Sequence, residues 1–183
     1  MKEIETERLR LRRWTTEDAE ALYACARNPN VGPHAGWKPH EMVEESRRII
    51  DTLFRPPHDV WAITLKESGE IIGSVGLEPD KRRPGVNGKE LGYWLAEPYW
   101  GRGFMTEAAQ ATVEYAFAKL SLDILAVCTD PKNTRSQRTI EKCGFVYEGT
   151  ERRTYRTYTG VVRDSKCYSI LREEWENKSS NST

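Results

Sequence analysis

Two glycines separated by one residue, Gly101 and Gly103, lie between a strand-like segment and a segment with helical period. Glycine lets the backbone turn sharply and approach a bulky group closely. The first N–H groups of the following helix point back at this turn and have no partner within the helix. A turn of this kind at a helix N-terminus binds anions, usually phosphate. Residues 101–106 are therefore a candidate phosphate site.

The glycine spacing does not match the two best-known phosphate-binding motifs. A P-loop requires G-x-x-x-x-G-K-[ST], which the chain lacks. A dinucleotide-binding fingerprint requires a third glycine in the same turn and a later acidic residue for the ribose. A G-x-G pair alone is also compatible with an ordinary strand-to-helix turn. The flanking residues must decide between these interpretations.

A carboxylate precedes the turn at Glu90, within the strand-like residues 90–96. Strand side chains alternate between faces, so Glu90 shares one face with residues 92, 94 and 96, while residues 91, 93 and 95 occupy the other. Partial burial would raise the pKa of Glu90 from its ordinary value of ~4.3 toward the value that a general base needs. An exposed residue paired with a lysine or arginine is the alternative, and the pattern leaves both open.

Asn133 and Ser136 begin a helix downstream of the turn. Asn133 occupies the N-cap position and could be a cap only. Ser136 could be an ordinary helix residue on the apolar face with Ile140 and Cys143. Because a buried hydroxyl needs a hydrogen-bond partner, the pattern slightly favours a functional role for Ser136.

The elements that must position these residues are strands mixed with helices, typical of the α+β or mixed α/β class. Alternating residues predict strands, and apolar residues at helical spacing predict helices. The clearest helix follows the glycine turn, where small or apolar residues repeat from Met105 to Leu120. Strands are predicted at residues 7–14, 60–65, 70–77, 90–96, 124–129, 145–151 and 166–171, and the other helices at 15–28, 41–54 and 134–142.

Length and charge predict a globular chain with one core. The 183 residues suit a single domain at residues 1–176, and the polar residues 177–183 are expected to be a disordered tail. The chain has 28 basic and 28 acidic residues, so a broad basic surface and direct nucleic-acid binding are not expected.

Cysteine and histidine spacing gives no metal motif. The four cysteines form no C-x-x-C pair and the three histidines have no ligand spacing, so no metal is expected. No segment is apolar for long enough to span a membrane, and the N-terminus lacks the core of a signal peptide. These features predict a cytoplasmic protein without a membrane partner.

Several motifs in this order resemble the GNAT superfamily of acyl-CoA-dependent N-acetyltransferases, and more narrowly its ribosomal-protein alanine and serine N-acetyltransferase branch. The motifs are ELGYWL at residues 90–95, YWGRGFMTEA at 99–108, N-x-x-S at 133–136 and EKCGF at 141–145, with TERLRLR at 6–12 and the late residues 163–171 fitting the narrower branch. The resemblance covers nearly the whole chain. It implies a GNAT-like fold, a mostly antiparallel central sheet of about seven strands flanked by about four helices.

The resemblance also implies a reaction: transfer of the acetyl group of acetyl-CoA to a primary amine by direct attack in a ternary complex. Glu90 would be the general base, and Asn133 would bind the cofactor arm or the reacting region. The strand backbone would bind the pantetheine arm, and the glycine turn would bind the pyrophosphate. The implied acetyl-CoA contacts are Trp94, Leu95, Ala96, Gly101, Arg102, Gly103, Phe104, Met105, Thr106 and Asn133.

Two positions depart from the family pattern. Many members carry a tyrosine that protonates the leaving thiolate, and Ile140 stands at that position here. Ser136, one turn earlier, is the candidate replacement, because its hydroxyl could hydrogen-bond to the sulfur. The family turn [QR]-x-x-G-x-[GA] reads Trp100-x-x-Gly103-x-Met105, which adds bulk where the helix begins.

The resemblance does not identify the acceptor. It places the acceptor between the loop 32–40, with His34, Trp37 and His40, and the arginine- and tyrosine-rich run 152–158. The amine could belong to a ribosomal or other protein N-terminus or to a small molecule. His34 or a water could replace Glu90 as the base.

Two other functions and two assembly states stay open at this point. A non-catalytic acyl-CoA-binding regulatory domain is the main alternative, and the run 152–158 leaves an RNA-binding module as a weaker one. The chain is expected to be a monomer or a homodimer.

Overall fold

The computed structural model describes residues 1–56 and 58–180. Within these residues, no helix has both the length and the apolar character needed to cross a membrane. Two 3₁₀ turns, Thr16–Asp18 and Glu97–Tyr99, accompany the regular elements. The strands are β1 Ile4–Glu5, β2 Leu9–Arg13, β3 Asp59–Leu65, β4 Ile71–Pro79, β5 Gly88–Leu95, β6 Ile124–Thr129, β7 Val146–Arg156 and β8 Val162–Leu171, and the helices are α1 Ala19–Ala26, α2 Gly32–Ala35, α3 Val43–Leu53, α4 Phe104–Ala118, α5 Thr134–Lys142 and α6 Arg172–Ser180.

The described strands form one sheet in the order β1-β2-β3-β4-β5-β6-β8-β7. Neighbouring strands are antiparallel except β5 and β6, which are parallel. The predicted mixed α/β class with a mostly antiparallel sheet is therefore confirmed. The structure adds the two-residue strand β1, paired with β2, to the strands that the sequence predicted. It also adds α2 within the loop 32–40, and α6 at the C-terminus.

The C-terminal helix corrects part of the expected disordered tail. Residues 177–180 belong to α6, and residues 181–183 lie outside the described residues. The Trp175 ring stacks on Phe117 at a centroid distance of 5.5 Å. Arg172 donates from Nη2 to the Leu122 carbonyl oxygen at 2.6 Å. These contacts attach a polar helix to the core, which its composition alone did not indicate.

The parallel pair β5–β6 is short, and the two strands separate beyond it. Gly88, Lys89 and Glu90 pair with residues 124–126, and no further residue of β5 pairs with β6. Over the same length β5 stays paired with β4, and β6 stays paired with β8 along all its residues. The sheet therefore opens on one side of β5 between Glu90 and Leu95.

Helices on the two faces of the sheet bury two separate cores. The main core lies under α4, whose buried residues include Met105, Ala108, Thr112 and Phe117, as the predicted apolar stripe required. A second core lies under α1 and α3. The alternation predicted for β5 is confirmed, because Leu91 and Leu95 face the main core while Trp94 packs against the second.

Candidate active site

A cleft of about 770 Å³ occupies the opening between β5 and β6. It is lined by the free side of β5, the turn before α4, one face of α5 and parts of α2 and the β7–β8 hairpin. Glu90, Asn133 and Ser136 all line this cleft together with Gly101 and Gly103. Residues from three separate motifs of the sequence are thus brought to one site.

The glycine turn has the geometry of an anion site. Gly101 and Gly103 have φ values of +73° and +81°, in the left-handed region that favours glycine. Gly103 precedes α4, and its carbonyl accepts the N–H of Glu107 at 3.1 Å. The backbone N–H groups of residues 101–106 have no acceptor among the described residues. Unpaired N–H groups at the start of a helix attract a negative charge.

Glu107 attaches this turn to the N-terminal strand. Its Oε1 accepts from Thr6 Oγ1 at 2.6 Å and from the Arg8 N–H at 2.8 Å, and its Oε2 accepts from Arg8 Nε at 2.7 Å. Arg8 also donates from Nη1 to the Arg102 carbonyl at 3.1 Å. Burial alone would raise the pKa of Glu107, but the hydrogen bonds from Thr6 and Arg8 outweigh burial and lower it. Arg8 thereby neutralises a carboxylate that would otherwise repel an anion at the turn.

We expect Glu107→Ala to lower the free energy of unfolding by roughly 1.5–3 kcal/mol, the range for a lost hydrogen bond to a charged group. Because folding lowers the pKa of Glu107, the wild-type advantage is present above the ordinary glutamate pKa and is lost as the pH falls through the lowered value. Urea unfolding at neutral pH and at about pH 3 measures both effects. Glu173→Ala, which removes an exposed carboxylate from the first turn of α6, is the control. Equal losses of unfolding free energy in Glu107→Ala and Glu173→Ala would show that the hydrogen bonds of Glu107 do not stabilise the fold.

The free backbone groups of β5 face the opening at alternate residues. Ala96 donates its N–H to the Ile72 carbonyl on β4 at 2.8 Å. Because the ladder alternates, Trp94 bonds toward β4 as well, while Tyr93 directs its N–H and C=O groups into the opening and Leu95 directs its N–H there. The Leu95 carbonyl accepts from Trp100 Nε1 at 2.7 Å and is not free. Of the three backbone contacts predicted at residues 94–96, Leu95 alone faces the opening.

Glu90 lies at the last paired position of β5, opposite Ala126 on β6. Its side chain is half-buried, which rules out the fully exposed alternative. Burial raises the pKa of Glu90, and Arg82 opposes part of that rise. A carboxyl group with a raised pKa in a cleft is a candidate proton acceptor.

Arg82, in the loop after β4, was not singled out by the sequence. Its Nη1 lies 3.6 Å from Glu151 Oε1 and its Nε lies 3.8 Å from Asp80 Oδ1. Nε and Nη2 are buried without a hydrogen-bond partner among the described residues. Asp80 fixes the loop by accepting the Arg82 backbone N–H at 2.9 Å. This positive charge beside Glu90 comes from a Gly/Pro-rich loop in which no sequence pattern predicts it.

The start of α5 confirms the predicted cap. The Oδ1 atom of Asn133 accepts the Ser136 backbone N–H at 3.1 Å. Ser136 Oγ lies 2.9 Å from the phenolic oxygen of Tyr93, so the hydroxyl has the partner that its position required. Ile140, at the family's tyrosine position, is 1% exposed in the main core and has no polar atom to offer.

Comparison with known proteins decides the family. The model of the acetyltransferase (GNAT) domain matches residues 8–146. The chain belongs to the GNAT family of acetyltransferases. An uncharacterised N-acetyltransferase, YoaA of Bacillus subtilis, is 32% identical over 176 residues, which are 92% of this chain and 96% of YoaA.

Two further relatives support this assignment to the GNAT family. YdaF of Bacillus subtilis, named as a candidate ribosomal N-acetyltransferase, is 37% identical over 115 residues, 62% of this chain and 61% of YdaF. The crystal structure of a GNAT-family acetyltransferase from Bacillus anthracis superposes with a TM-score of 0.84 at 25% identity, covering 94% of this chain and 100% of that chain. The chain is accordingly an acetyl-CoA-dependent acetyltransferase.

The GNAT cleft has groups that fit two parts of acetyl-CoA. The unpaired N–H groups of residues 101–106 suit the pyrophosphate, and the free β5 backbone suits an amide-containing arm. Of the residues predicted to contact acetyl-CoA, Phe104, Met105 and Thr106 line the cleft, whereas Ala96 and Arg102 do not. Met105 is 8% exposed within the main core, so the core accommodates the bulk that departs from the family pattern.

Three cationic side chains of α5 line the cleft: Arg135, Arg138 and Lys142. They were not identified as site residues from the sequence. Their spacing of three and four residues places them on one helix face, which is the signal that could have found them. The Arg135 guanidinium lies 4.0 Å above the Trp100 ring. This GNAT cleft therefore carries positive charge next to the anion site.

The other end of the GNAT cleft is acidic. Glu78, Glu90, Glu151 and Asp164 line it, with Arg82 as a partial counter-charge, while Arg163 is paired with Asp130. An acidic end attracts a protonated amine, and a basic end attracts the phosphates of CoA. The charges of the two ends thus match the two substrates of the family reaction.

The predicted acceptor residues separate into two groups. His34 and Tyr155 line the cleft, and the Tyr155 hydroxyl donates to the Gly36 carbonyl. Trp37 and His40 do not line it. Trp37 packs edge-on against Trp94 at 6.2 Å, and His40 Nδ1 lies 2.7 Å from a buried serine hydroxyl. Burial lowers the pKa of His40, which is typical of a structural residue.

Two cysteines lie beside Glu90 as free thiols. Cys128 and Cys167 are opposite each other on β6 and β8, with their sulfur atoms 2.9 Å apart. Burial raises the pKa of Cys128, which makes its thiol a poor nucleophile at neutral pH. Among the described residues, no group of three or more His, Cys, Asp and Glu side chains is arranged to hold a metal ion.

Proposed function

We propose that this GNAT chain transfers the acetyl group of acetyl-CoA to a primary amine by direct attack within a ternary complex. One observation carries the proposal: a single cleft connects the unpaired N–H groups of residues 101–106 with the half-buried carboxyl of Glu90. Acetyl-CoA supplies the acetyl group and a thiol as the leaving group. An acetyl group that follows the free side of β5 from the turn arrives beside Glu90.

In this proposal Glu90 accepts the proton that the attacking amine loses, directly or through a water molecule. The amine approaches as a cation, attracted by Glu78, Glu90 and Glu151, and gives one proton to Glu90 to become the free base that attacks. The second proton, released as the amide forms, goes to solvent. Because its pKa is raised, the Glu90 carboxylate binds a proton more readily than an ordinary glutamate does, as a general base near neutral pH requires. Arg82 favours the ionised form of Glu90 by opposing part of the rise in pKa that burial causes.

The donors near the thioester come from β5 and α5. The N–H of Leu95 faces the opening and can polarise the acetyl carbonyl as negative charge develops on its oxygen. Ser136 lines the same region and offers a hydroxyl to the departing sulfur. Asn133, whose Oδ1 is used by the helix cap, retains its amide N–H groups for the cofactor arm.

The amine acceptor is a protein N-terminus or a small molecule. The name of YdaF, a relative over part of the chain, supports testing ribosomal N-termini first. The acidic end of the cleft accepts the ammonium form of either class. Peptides that begin with alanine or serine and small amines such as amino acids and polyamines therefore form the test panel.

The test is to mix purified protein with isotopically labelled acetyl-CoA and this panel, and to follow thiol release and the mass of the product. We expect thiol release that depends on an amine, and one label per acetylated amine. Binding of acetyl-CoA with no turnover on any amine would favour the non-catalytic acyl-CoA-binding alternative. A protein that neither binds acetyl-CoA nor turns over would overturn the proposal.

A further inference from the structure

The phenol of Tyr93 and the hydroxyl of Ser136 join β5 to α5 across one wall of the cleft. The phenolic oxygen lies 2.9 Å from Ser136 Oγ and 3.3 Å from the Ser136 carbonyl oxygen. Both residues line the cleft. Tyr93 projects from the face of β5 opposite to Glu90, so the pair lies on the far side of the strand from the base.

Two arrangements of hydrogen atoms satisfy these distances. In the first arrangement the phenol donates to the Ser136 carbonyl and the Ser136 hydroxyl donates to the phenol. The hydroxyl hydrogen of Ser136 is then not available to a ligand in the cleft. If the phenol donates to Ser136 Oγ, the hydrogen of Ser136 is free to point into the cleft. The distance to Oγ is the shorter of the two, and an anionic acceptor in the cleft would select the second arrangement.

We infer that Tyr93 is a positioning residue for acetyl transfer: it donates to Ser136 Oγ and so directs the Ser136 hydroxyl at the departing sulfur. This inference rests on the function proposed above. As the new C–N bond forms and the C–S bond breaks, the electron pair of the C–S bond goes to the sulfur. Ser136 stabilises that charge with its hydrogen bond, the proton released as the amide forms goes to solvent, and solvent later protonates the thiolate. No proton has to leave Tyr93.

The surroundings keep Tyr93 a donor throughout the working pH range. Burial raises its pKa, the nearby Cys143 and Tyr168 add to that rise, and the hydrogen bond with Ser136 opposes only part of it. A phenol that stays protonated cannot become an acceptor-only phenolate, so its hydrogen remains available for donation to Ser136. The Tyr93–Ser136 pair thereby provides the hydrogen bond to the departing sulfur, which Ile140, a buried apolar residue, cannot provide.

A double-mutant cycle tests whether Tyr93 acts through Ser136. We expect Tyr93→Phe and Ser136→Ala each to lower kcat by roughly tenfold to a hundredfold, the value of a hydrogen bond to a developing charge. The double variant should be no slower than Ser136→Ala alone, because Tyr93 has no target once the hydroxyl is absent. Tyr147→Phe removes a comparable hydroxyl pair outside the cleft, 2.7 Å from Thr150 Oγ1, and should leave kcat unchanged.

A binding measurement gives a readout that does not need turnover. Calorimetry compares CoA with its desulfo analogue at increasing pH, up to values at which the CoA thiol, a weaker acid than the cysteine thiol, is ionised. Wild type should prefer CoA by roughly tenfold, and Tyr93→Phe and Ser136→Ala should lose most of that preference while binding desulfo-CoA equally well. If Tyr93→Phe lowers Tm sharply, 3-fluorotyrosine at position 93, a stronger donor of the same shape, should increase the preference instead.

The outcomes separate this inference from the proposed function. A fully active Tyr93→Phe, additive losses in the cycle, or an unchanged preference for CoA would each overturn the role of Tyr93 even in an active enzyme. A wild-type protein that acetylates no amine would overturn the proposed function. The comparison of CoA with desulfo-CoA would still decide whether the pair recognises the sulfur.

Discussion

Glu90→Gln is expected to lower kcat/KM by roughly 10²- to 10⁴-fold, the contribution of a positioned general base. Glutamine keeps the size of the side chain but cannot accept the amine proton at neutral pH. The glycine turn and the free β5 backbone are untouched, so the affinity for acetyl-CoA should not change. Steady-state kinetics on the best amine of the panel, together with calorimetry of acetyl-CoA binding, measure the two effects separately.

The pH profile supplies the specific signature of this role. Wild-type kcat/KM should fall as the pH drops through the pKa of Glu90, which burial raises above its ordinary value. Glu90→Gln should lack that acidic limb. Glu67→Gln, which changes an exposed carboxylate in the turn between β3 and β4, should keep both the rate and the profile of wild type. A Glu90→Gln enzyme with the wild-type rate at neutral pH would remove Glu90 as the base.

Stability measurements exclude unfolding as the cause of a lost rate. Because the folded-state pKa of Glu90 is raised, its contribution to stability is fully present below the unfolded pKa and is lost as the pH rises through the folded value. Above its folded-state pKa Glu90 is therefore a destabilising group, and there Glu90→Gln should be at least as stable as wild type. Any advantage of the variant should disappear as the pH falls below the ordinary glutamate pKa.

Segments with strong local periodicity were predictable from the sequence. The ranges predicted for β6 and α5, residues 124–129 and 134–142, agree with the structure, and the alternation of β5 assigned Leu91 and Trp94 to the correct faces. The cap at Asn133 was also predictable, because a cap bonds to a residue only three positions away. In each case the determining interaction lies within one or two turns of the chain.

Contacts between distant residues were not predictable in this way. Tyr93 and Ser136 are 43 residues apart, and their bond exists only because β5 and β6 separate at the place where α5 crosses. The charge of Arg82 reaches Glu90 through a loop conformation fixed by Asp80. Glu107 looks like an ordinary residue in the first turn of a helix, yet it bonds to residues about a hundred positions earlier. Such partners depend on the arrangement of the sheet.

Replacing both glycines of the turn by alanine is the second change with a large expected effect. A non-glycine residue in the left-handed region costs roughly 1–2 kcal/mol. If the turn of the free variant adopts another conformation, which avoids that cost at both positions, acetyl-CoA binding must restore the left-handed conformation. The cost then appears in the binding free energy. The dissociation constant of acetyl-CoA should then rise by roughly 30- to 700-fold, since about 1.4 kcal/mol corresponds to a factor of ten. Calorimetry of acetyl-CoA binding measures this change.

Clashes within the protein do not explain that loss, because no protein atom crowds either glycine. A Cβ at Gly101 would meet nothing within 4 Å, and one at Gly103 would meet only Arg8 Nη2 at 3.4 Å. Gly69, in the turn between β3 and β4, has a φ of +74° and equally open surroundings, so Gly69→Ala carries the same strain far from the cleft. It should lower the free energy of unfolding without changing acetyl-CoA affinity. A double glycine variant that keeps wild-type stability, and so has relaxed its turn, yet binds acetyl-CoA as tightly as wild type would show that the turn is not where the phosphates bind.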